Sequence, residues 1–401
     1  MSSSMRSGQG SSERCTQDSP SGTVQGTPVS PTPGVSRRTV LRGGALSLAG
    51  MAAAVPALEG CSTNQGGAGA ARKTVAWETG YLSFFFFVVL QEAVKRESDR
   101  RELDFVGKNA NGDSSAQVGD WNSLLMQQPR YLISDALDSE VLVPLTTKAK
   151  RRNIPVGMVD TPLTGGDVAI SVTFDNRQAG VMAAHKTAAL LKERHGTARG
   201  TVLNAYGSLT AVALRQRKEG FEQTLKATYP KVKVVSRPQN NDHAQALSVV
   251  NSTLREYPDL DAIHLPTDIF LPDARKAMHS QHRLHPVGHA EHIIVTSIDG
   301  SPNAHEWIRQ GELDADIAQD PIAYVQICME LLEKYAVKGK DVPLGRYENK
   351  KYFWEKAVIT KGPSGPLLTV PPYYVTKENS PDPRHWANVV TDQWHMKETQ
   401  S

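Results

Sequence analysis

The sequence predicts an α/β protein of two Rossmann-like lobes, each built on a parallel central sheet, with the chain crossing between the lobes three times. Three observations carry that prediction. Short β-branched runs alternate with helical stretches from Thr74 to Asp160, which is the pattern of βαβ units with right-handed crossovers. The alternation starts again at Val168, so a second lobe is inserted before the chain returns to the first. Ile293–Pro321 then reads as a buried strand, a helix and a second strand whose end leaves one lobe for the other.

In the first lobe, strands are predicted over Thr74–Trp77, Leu103–Val106, Tyr131–Ser134 and Ile154–Val159. Helices are predicted over Phe84–Glu97 and Ser114–Gln127, with a third capped by Asp138 or Ser139 and running to Arg152. The strand ends present Asp135 and Asp160 along the edge where open α/β sheets bind ligands. Phe84 to Phe87 open the first helix. Successive helical residues point about 100° apart, so four rings in a row cannot all face the core, and at least one is expected in the cleft.

The second lobe is predicted to contain strands over Val168–Phe174, Thr201–Ala205, Val232–Ser236 and Ala262–Leu265. Its helices cover Gln178–His195, Ala211–Thr228, His243–Tyr257 and Ile269–Ser280, the last weakened by Pro272. Ile293–Ile298 has the β-branched run of a strand buried on both faces and stops at Asp299-Gly300. Ser301-Pro302 supplies a capping hydroxyl and a first-turn proline, and Gly311 supplies the left-handed stop. Asp314–Ala318 runs onward as a strand to Gln319, so Asp299 and Gln319 both sit at C-terminal strand ends. Arg215 and Arg217, spaced i, i+2, point apart on their helix, which lets one enter the cleft while the other stays in solvent. A helix over Ile322–Val337 and strands around Tyr352–Thr360 complete the pattern. The expected boundaries are 73–172 with 320–350 for the N-terminal lobe, and 173–319 with 351–401 for the C-terminal lobe and tail. The crossings are expected near Thr173, Gln319 and Lys350.

At 401 residues and 39% hydrophobic, the chain has enough apolar material for a large core. Lys and Arg number 45 against 42 Asp and Glu, a net +3 that does not favour a nucleic-acid partner. The three cysteines, Cys15, Cys61 and Cys328, make no disulfide framework within the fold. Residues 1–35 are rich in Ser, Gly, Pro and Thr and are expected to be disordered. Ser36–Arg42 resembles a twin-arginine export signal, and the apolar Ala45–Leu58 after it is too short for a stable membrane span. Leu58–Cys61 resembles a lipobox. The resemblance implies a signal over residues 1–61, a lipid on Cys61, a flexible tether over 62–72, and an extracytoplasmic lipoprotein anchored to the cell membrane.

From about Lys73 onward, the ordered motifs resemble the sugar-binding type I periplasmic binding proteins, the ribose-binding-protein-like family. Asn153–Val156 through Asp160 is similar to the family's IPV-to-Asp strand, and Arg215–Phe221 to its R-x-R-x-x-G-F helix. Ser297–Pro302 is similar to its D-G-x-P turn, Ile317–Pro321 to its Q-x-P crossover, and Tyr373–Asn379 with Asp382–Asn388 to the tail of some members. The resemblance implies a type I periplasmic binding protein fold and a non-enzymatic receptor without cofactor. It implies ligand-binding roles for Asp160, Arg217, Asp299 and Gln319, with Asp135, Asn241 and Thr267 beside them and stacking roles for Phe86 and Phe87. The implied partners are a monosaccharide or related polyol and the permease subunits of an ABC transporter. Thr161, Thr267 and Phe84 depart from the ribose-binding pattern, which favours another pentose, hexose or polyol.

The chemistry agrees with that resemblance. Vicinal hydroxyls both donate and accept, so carboxylate, guanidinium and amide groups can satisfy them in a closed site. Hydrogen bonds to charged groups contribute roughly 1.5–3 kcal/mol each, against about 0.5–1.5 for an aromatic contact beyond its area, and micromolar binding needs about 8.2. Both lobes would contact the ligand, so closure would be favoured by contacts that the open form lacks.

Other readings fit less well. A glycosidase would use Asp160 and Asp299 as its paired carboxylates, but Arg217 is expected to keep both ionised, whereas a general acid needs a raised pKa. A transcriptional effector domain would carry a helix-turn-helix where the export signal stands. A sensor without transport is not separated from a transporter by sequence. His279, His282, His285, His289 and His292 crowd into fourteen residues, and a solvated loop is expected there rather than a zinc site, because Pro286 and Gly288 break any shared helical face.

Overall fold

The computed structural model describes residues 72–398. The expected export signal, the lipidation site at Cys61 and all but the end of the expected tether lie outside the described residues. The first lobe is built from β1 (Thr74–Thr79), α1 (Phe85–Arg100), β2 (Asp104–Asn109), α2 (Ser114–Met126), β3 (Tyr131–Ser134), α3 (Val143–Arg151), β4 (Val156–Asp160) and β5 (Ile170–Phe174). The chain then crosses to the second lobe. There it forms α4 (Asn176–His195), β6 (Gly200–Tyr206), α5 (Val212–Thr228), β7 (Val232–Pro238), α6 (His243–Glu256) and β8 (Ala262–His264). It continues through α7 (Leu271–Ser280), β9 (Ile294–Asp299), α8 (Pro302–Gln310) and β10 (Ala315–Ala318). After Gln319 it returns as α9 (Pro321–Lys334), β11 (Gly345–Glu348), β12 (Lys356–Lys361) and β13 (Pro366–Val370), and β14 (Tyr373–Val375) closes the second sheet.

The first sheet runs β11-β12-β13-β5-β4-β3-β1-β2 and the second β14-β10-β9-β8-β6-β7. Both are parallel through their middles, as expected of βαβ units, but each gains antiparallel strands at one edge. Between β12 and β13 the reason is local. The link closes on itself with the Gly362 N–H donating to Gly365 O at 2.8 Å, and so short a loop joins only antiparallel neighbours.

Two boundary expectations are corrected by this pairing. β5 belongs wholly to the first sheet, and residues 351–370 complete that sheet instead of joining the second lobe. The third crossing therefore falls at Pro371-Pro372, between β13 and β14, and not near Lys350.

Local chemistry sets the helix ends. The side chains of Asp113, Asp175 and Ser301 accept backbone N–H bonds at the starts of α2, α4 and α8, and Gly311 takes the left-handed conformation after α8 at φ 77°. Pro272 falls in the first turn of α7, where its missing N–H would have had no helical partner, so it does not weaken the helix. The core of the first lobe closes over fully buried Val75, Trp77, Ile133 and Val172, and that of the second over Leu203, Ile263 and Ile298.

One packing contact positions the functional edge. α4 and α5 meet at Gly180 and Gly220, where an added Cβ would lie 2.1 Å from Arg217 O and 2.2 Å from Arg177 O. Only residues without a side chain let the two backbones come so close, and the approach brings α5 and its Arg217 onto the start of α4. Gly220→Ala is expected to destabilise the fold by about 1–3 kcal/mol through overpacking, measured as a lower denaturant midpoint. A midpoint equal to that of the unaltered protein would show that the helices slide apart freely.

Candidate functional site

Asp160 ends β4 with φ 59° and Asp299 ends β9 with φ 127°. Residues other than glycine rarely hold positive φ, and such strain costs of order 1–3 kcal/mol unless the surroundings over-determine it. At Asp299 the surroundings do so. The Trp386 indole N–H donates to its carbonyl at 3.0 Å, and the Gln319 backbone N–H reaches the same oxygen at 3.3 Å. Gly300 follows at φ 80°, and a Cβ there would sit 2.5 Å from Ala318 Cβ.

The Asp299 carboxylate is the centre of a buried network. Arg217 Nη1 approaches Oδ1 at 2.8 Å, Gln319 Nε2 donates to Oδ1 at 2.6 Å, and the Thr267 hydroxyl donates to Oδ2 at 2.6 Å. Arg217 is itself fixed by donating to Asn176 Oδ1 at 2.8 Å and to Pro266 O at 2.7 Å, with its guanidinium 5.6 Å from the centre of the Phe174 ring. Gln319 accepts from the Tyr324 hydroxyl at 2.8 Å, which links the crossing to α9. Arg217, Thr267 and Gln319 thus meet at the Asp299 carboxylate; all four were singled out from the sequence and are at most 8% exposed.

Asp160 and Asp135 lie on the first sheet at the ends of neighbouring strands. Asp160 is half-buried, accepts from the Thr161 hydroxyl at 3.0 Å, and feels Arg217 and Asp299 across the cleft. Asp135 is buried and accepts from the Gly80 N–H at 3.3 Å. Behind it, Glu78 accepts from Gln117 Nε2 at 2.7 Å and the Ser134 hydroxyl at 2.8 Å.

Burial raises both Asp160 and Asp299 above the ordinary carboxylate range despite Arg217. The expected effect of the guanidinium is present but outweighed: one shared cation does not offset the loss of hydration at two buried acids. Burial and the neighbouring Asp135 push Glu78 up to about 8, and burial first of all pushes Asp135 up to about 7.

The four consecutive phenylalanines divide their duties. Phe85 packs on the C-terminal tail, while Phe86 and Phe87 pack at the margin of the main core with their rings 5.3 Å apart. Phe86 meets Trp386 edge-on at 6.4 Å, and Tyr81 lies 5.7 Å from Phe84 and 5.6 Å from Phe87. All four phenylalanines are only half-buried.

Asn241 is not brought into the Asp299 network. It is exposed, and its Oδ1 accepts from Ser208 N–H at 3.2 Å, tying two loops of the second lobe together. Sequence reasoning missed Glu78, Tyr81, Asn176, Tyr324 and Trp386. Asn176 and Glu78 carried a usable signal, since each stands at the end of a predicted strand; Trp386 carried none, because its contact is made across 87 positions.

The histidine-rich segment resolves into separate roles. His292 is buried with Nδ1 against His285 O at 2.6 Å and Nε2 against Asp314 at 2.9 Å, while His279 and His282 are exposed. His285, His289 and Glu291 bring their donor atoms within 4.8 Å of one another. His289 Nδ1 accepts the Glu291 N–H at 3.1 Å, so that nitrogen is already engaged within the loop. A cavity of about 780 Å³ lies elsewhere, at the N-terminal ends of the first sheet's strands beside Arg130, Val156 and Val168. It is thus at the opposite edge of the sheet from Asp135 and Asp160.

Comparison with known proteins points the same way. A family model described as a periplasmic binding protein domain matches residues 80–341. The ribose import binding protein RbsB of Salmonella typhimurium is 26% identical over 272 residues, covering 68% of this chain and 87% of the relative. An ABC transporter periplasmic solute-binding protein from Actinobacillus succinogenes, solved with bound D-allose, superimposes with a TM-score of 0.65 at 22% identity, covering 78% of this chain and all of that one. A solute-binding protein from Bacillus halodurans, solved with bound myo-inositol, gives 0.63 at 20% identity, over 78% and 98%.

The buried acids set a pH dependence. Glu78 rises from 4.5 to about 8, and Asp135, Asp316 and Asp320 rise from 3.8 to about 7, in each case chiefly through burial. Between the unfolded and folded values the folded state binds more protons, so each contribution is full below the unfolded value and is lost as pH rises through the folded one. Ligand-free protein is expected to melt at a lower temperature at about pH 8.5 than at about pH 5.5 in a thermal scan. A midpoint that climbs over this interval would contradict it.

Proposed function

The chain belongs to the periplasmic binding protein domain family, whose members are solute-binding proteins and not enzymes, and we propose that it is an extracytoplasmic receptor that closes its two lobes around a monosaccharide or related polyol. The observation that carries this reading is the network of Arg217, Asp299, Thr267 and Gln319 at the second lobe's strand ends, facing Asp160 across the cleft. It offers acceptors, a five-donor guanidinium and an amide within one buried edge, which is what vicinal hydroxyls require. The relatives' names support the same class of ligand, spanning ribose, D-allose and myo-inositol. Rings from the Phe84–Phe87 run then set the ligand's orientation and exclude water.

The crossings between lobes are the natural hinge, and the closed form is what a permease of an ABC transporter would recognise. A lipid on Cys61, following a twin-arginine signal, would keep the receptor at the membrane surface. Among the described residues no helix is long and apolar enough to cross a membrane.

Titration calorimetry over pentoses, hexoses and polyols is expected to identify a ligand that also contracts the protein in solution scattering. Asp299→Ala is then expected to weaken that ligand by on the order of 2–4 kcal/mol, because Arg217, Thr267 and Gln319 are left buried without their shared acceptor. Unchanged affinity in that variant would remove the network from the site. A panel without any binder or any contraction would remove the receptor reading itself.

A further inference from the structure

The first-lobe end of the cleft holds more carboxyl groups than its surroundings pair. Asp135 and Asp160 follow adjacent strands and act on each other electrostatically. Asp135 is 2% exposed; its Oδ2 accepts from the Gly80 N–H, and its Oδ1 makes no hydrogen bond of full geometry among the described residues, the Thr79 hydroxyl being the side-chain donor that acts on the carboxyl. Directly behind, the fully buried Glu78 likewise leaves Oε1 without a partner. The cation that acts on Asp160 is Arg217, and its guanidinium is already engaged by Asp299, Asn176 and the Pro266 carbonyl.

An aromatic wall stands beside Asp135. Tyr81 follows Gly80, whose N–H contacts Asp135, and it feels the Asp135 charge. Its ring lies 5.7 Å from Phe84 and 5.6 Å from Phe87, both half-buried, and it is itself exposed. Ring faces carry negative potential and attract cations, and a carboxylate behind them adds charge-assisted hydrogen bonds. A neutral polyol can donate hydroxyls to the carboxylates but leaves the attraction of the ring faces for a cation unused.

We propose that the ligand of this cleft carries a cationic amine beside its hydroxyls, with the ammonium group seated among Tyr81, Phe84 and Phe87 and paired with Asp135 and Asp160. The inference rests on reading the cleft as a polyol site, and it narrows the ligand class to amino sugars and amino polyols. It gives Asp135 Oδ1 a well-placed charged donor, which the nearby Thr79 hydroxyl is not. It also supplies the positive charge that the first lobe lacks around its two acids, while Arg217, Asp299 and Gln319 remain available to hydroxyls at the other end.

Calorimetry on the full chain at about pH 7.5 would compare matched pairs, N-methyl-D-glucamine against D-glucitol and D-glucosamine against D-glucose. The amine of at least one pair is expected to bind tighter than its parent, on the order of tenfold. Asp135→Asn and Tyr81→Leu are each expected to bring that ratio close to unity. Circular dichroism and a cooperative melt would verify their fold, and the exposed Tyr81 provides the reading if the Asp135 variant does not fold. Parents binding as tightly as amines would overturn the cationic ligand and leave the polyol receptor standing. A preference for the amine that persists in both variants would overturn its placement at this end. Failure of all four compounds, and of the wider panel, to bind would overturn the inference and the receptor reading together.

Discussion

The second lobe's edge depends on one buried carboxylate held in an unfavourable backbone conformation. Asp299 sits at φ 127°, and six groups fix it: three side chains on its carboxylate, two donors on its carbonyl, and Gly300 immediately after it. Replacing a buried ion pair such as Arg217–Asp299 by apolar residues often costs nothing in stability, because desolvation consumes much of the Coulomb attraction. The pair is therefore poor evidence for a merely structural role. Groups held rigidly by neighbours, with strain stored at the same residue, are what a binding site gains from such an arrangement.

The contest between burial and charge runs through the whole cleft. Arg217 is one cation serving two acids that share little water, and burial lifts both acids in spite of it. Glu78 and Asp135 have no such partner and rise further. Carboxylates that begin to take up protons near neutral pH are donors as well as acceptors, which suits hydroxyl groups. They are also poised to ionise when a positive group arrives, since an opposite charge at close range favours the charged form. The same physics explains why reasoning from residue identity alone misjudged them: a sequence shows the charges, while hydration depends on what the fold places around them.

The local grammar of this chain was readable. Ser301, Pro302 and Gly311 mark the ends of α8 where the structure has them, and Asp299 and Asp160 were located correctly because β-branched runs stop immediately around them. The alternation of strand and helix also marked the succession of parallel strands along the chain, though not their order within each sheet. What was not readable is long-range pairing. Residues 356–370 carry the same apolar character whether they join one sheet or the other, and only the hairpin closing at Gly362–Gly365 and the register of β13 on β5 decide it. The tail was equally opaque: Trp386 is one aromatic in a polar stretch, yet it fills a buried position and holds the carbonyl of the most strained candidate residue. Asn241 failed for the opposite reason, since a loop amide suits a turn as well as it suits a ligand.

The placement of the groups dictates how binding and shape would be coupled. Asp135, Asp160 and the aromatic wall belong to the first lobe, Arg217, Thr267 and Asp299 to the second, and Gln319 lies on the crossing between them. A ligand satisfied by one set alone would bind open and closed forms equally and shift nothing, however tightly it bound. A ligand long enough to need both sets stabilises the closed form by the whole of its second set of contacts. Gln319 is the residue where that coupling is most direct, because it donates to Asp299 on the second lobe while accepting from Tyr324 on a helix of the first. Any rotation about the crossing must carry one of those two hydrogen bonds with it, so the amide ties the geometry of the acid network to the angle between the lobes.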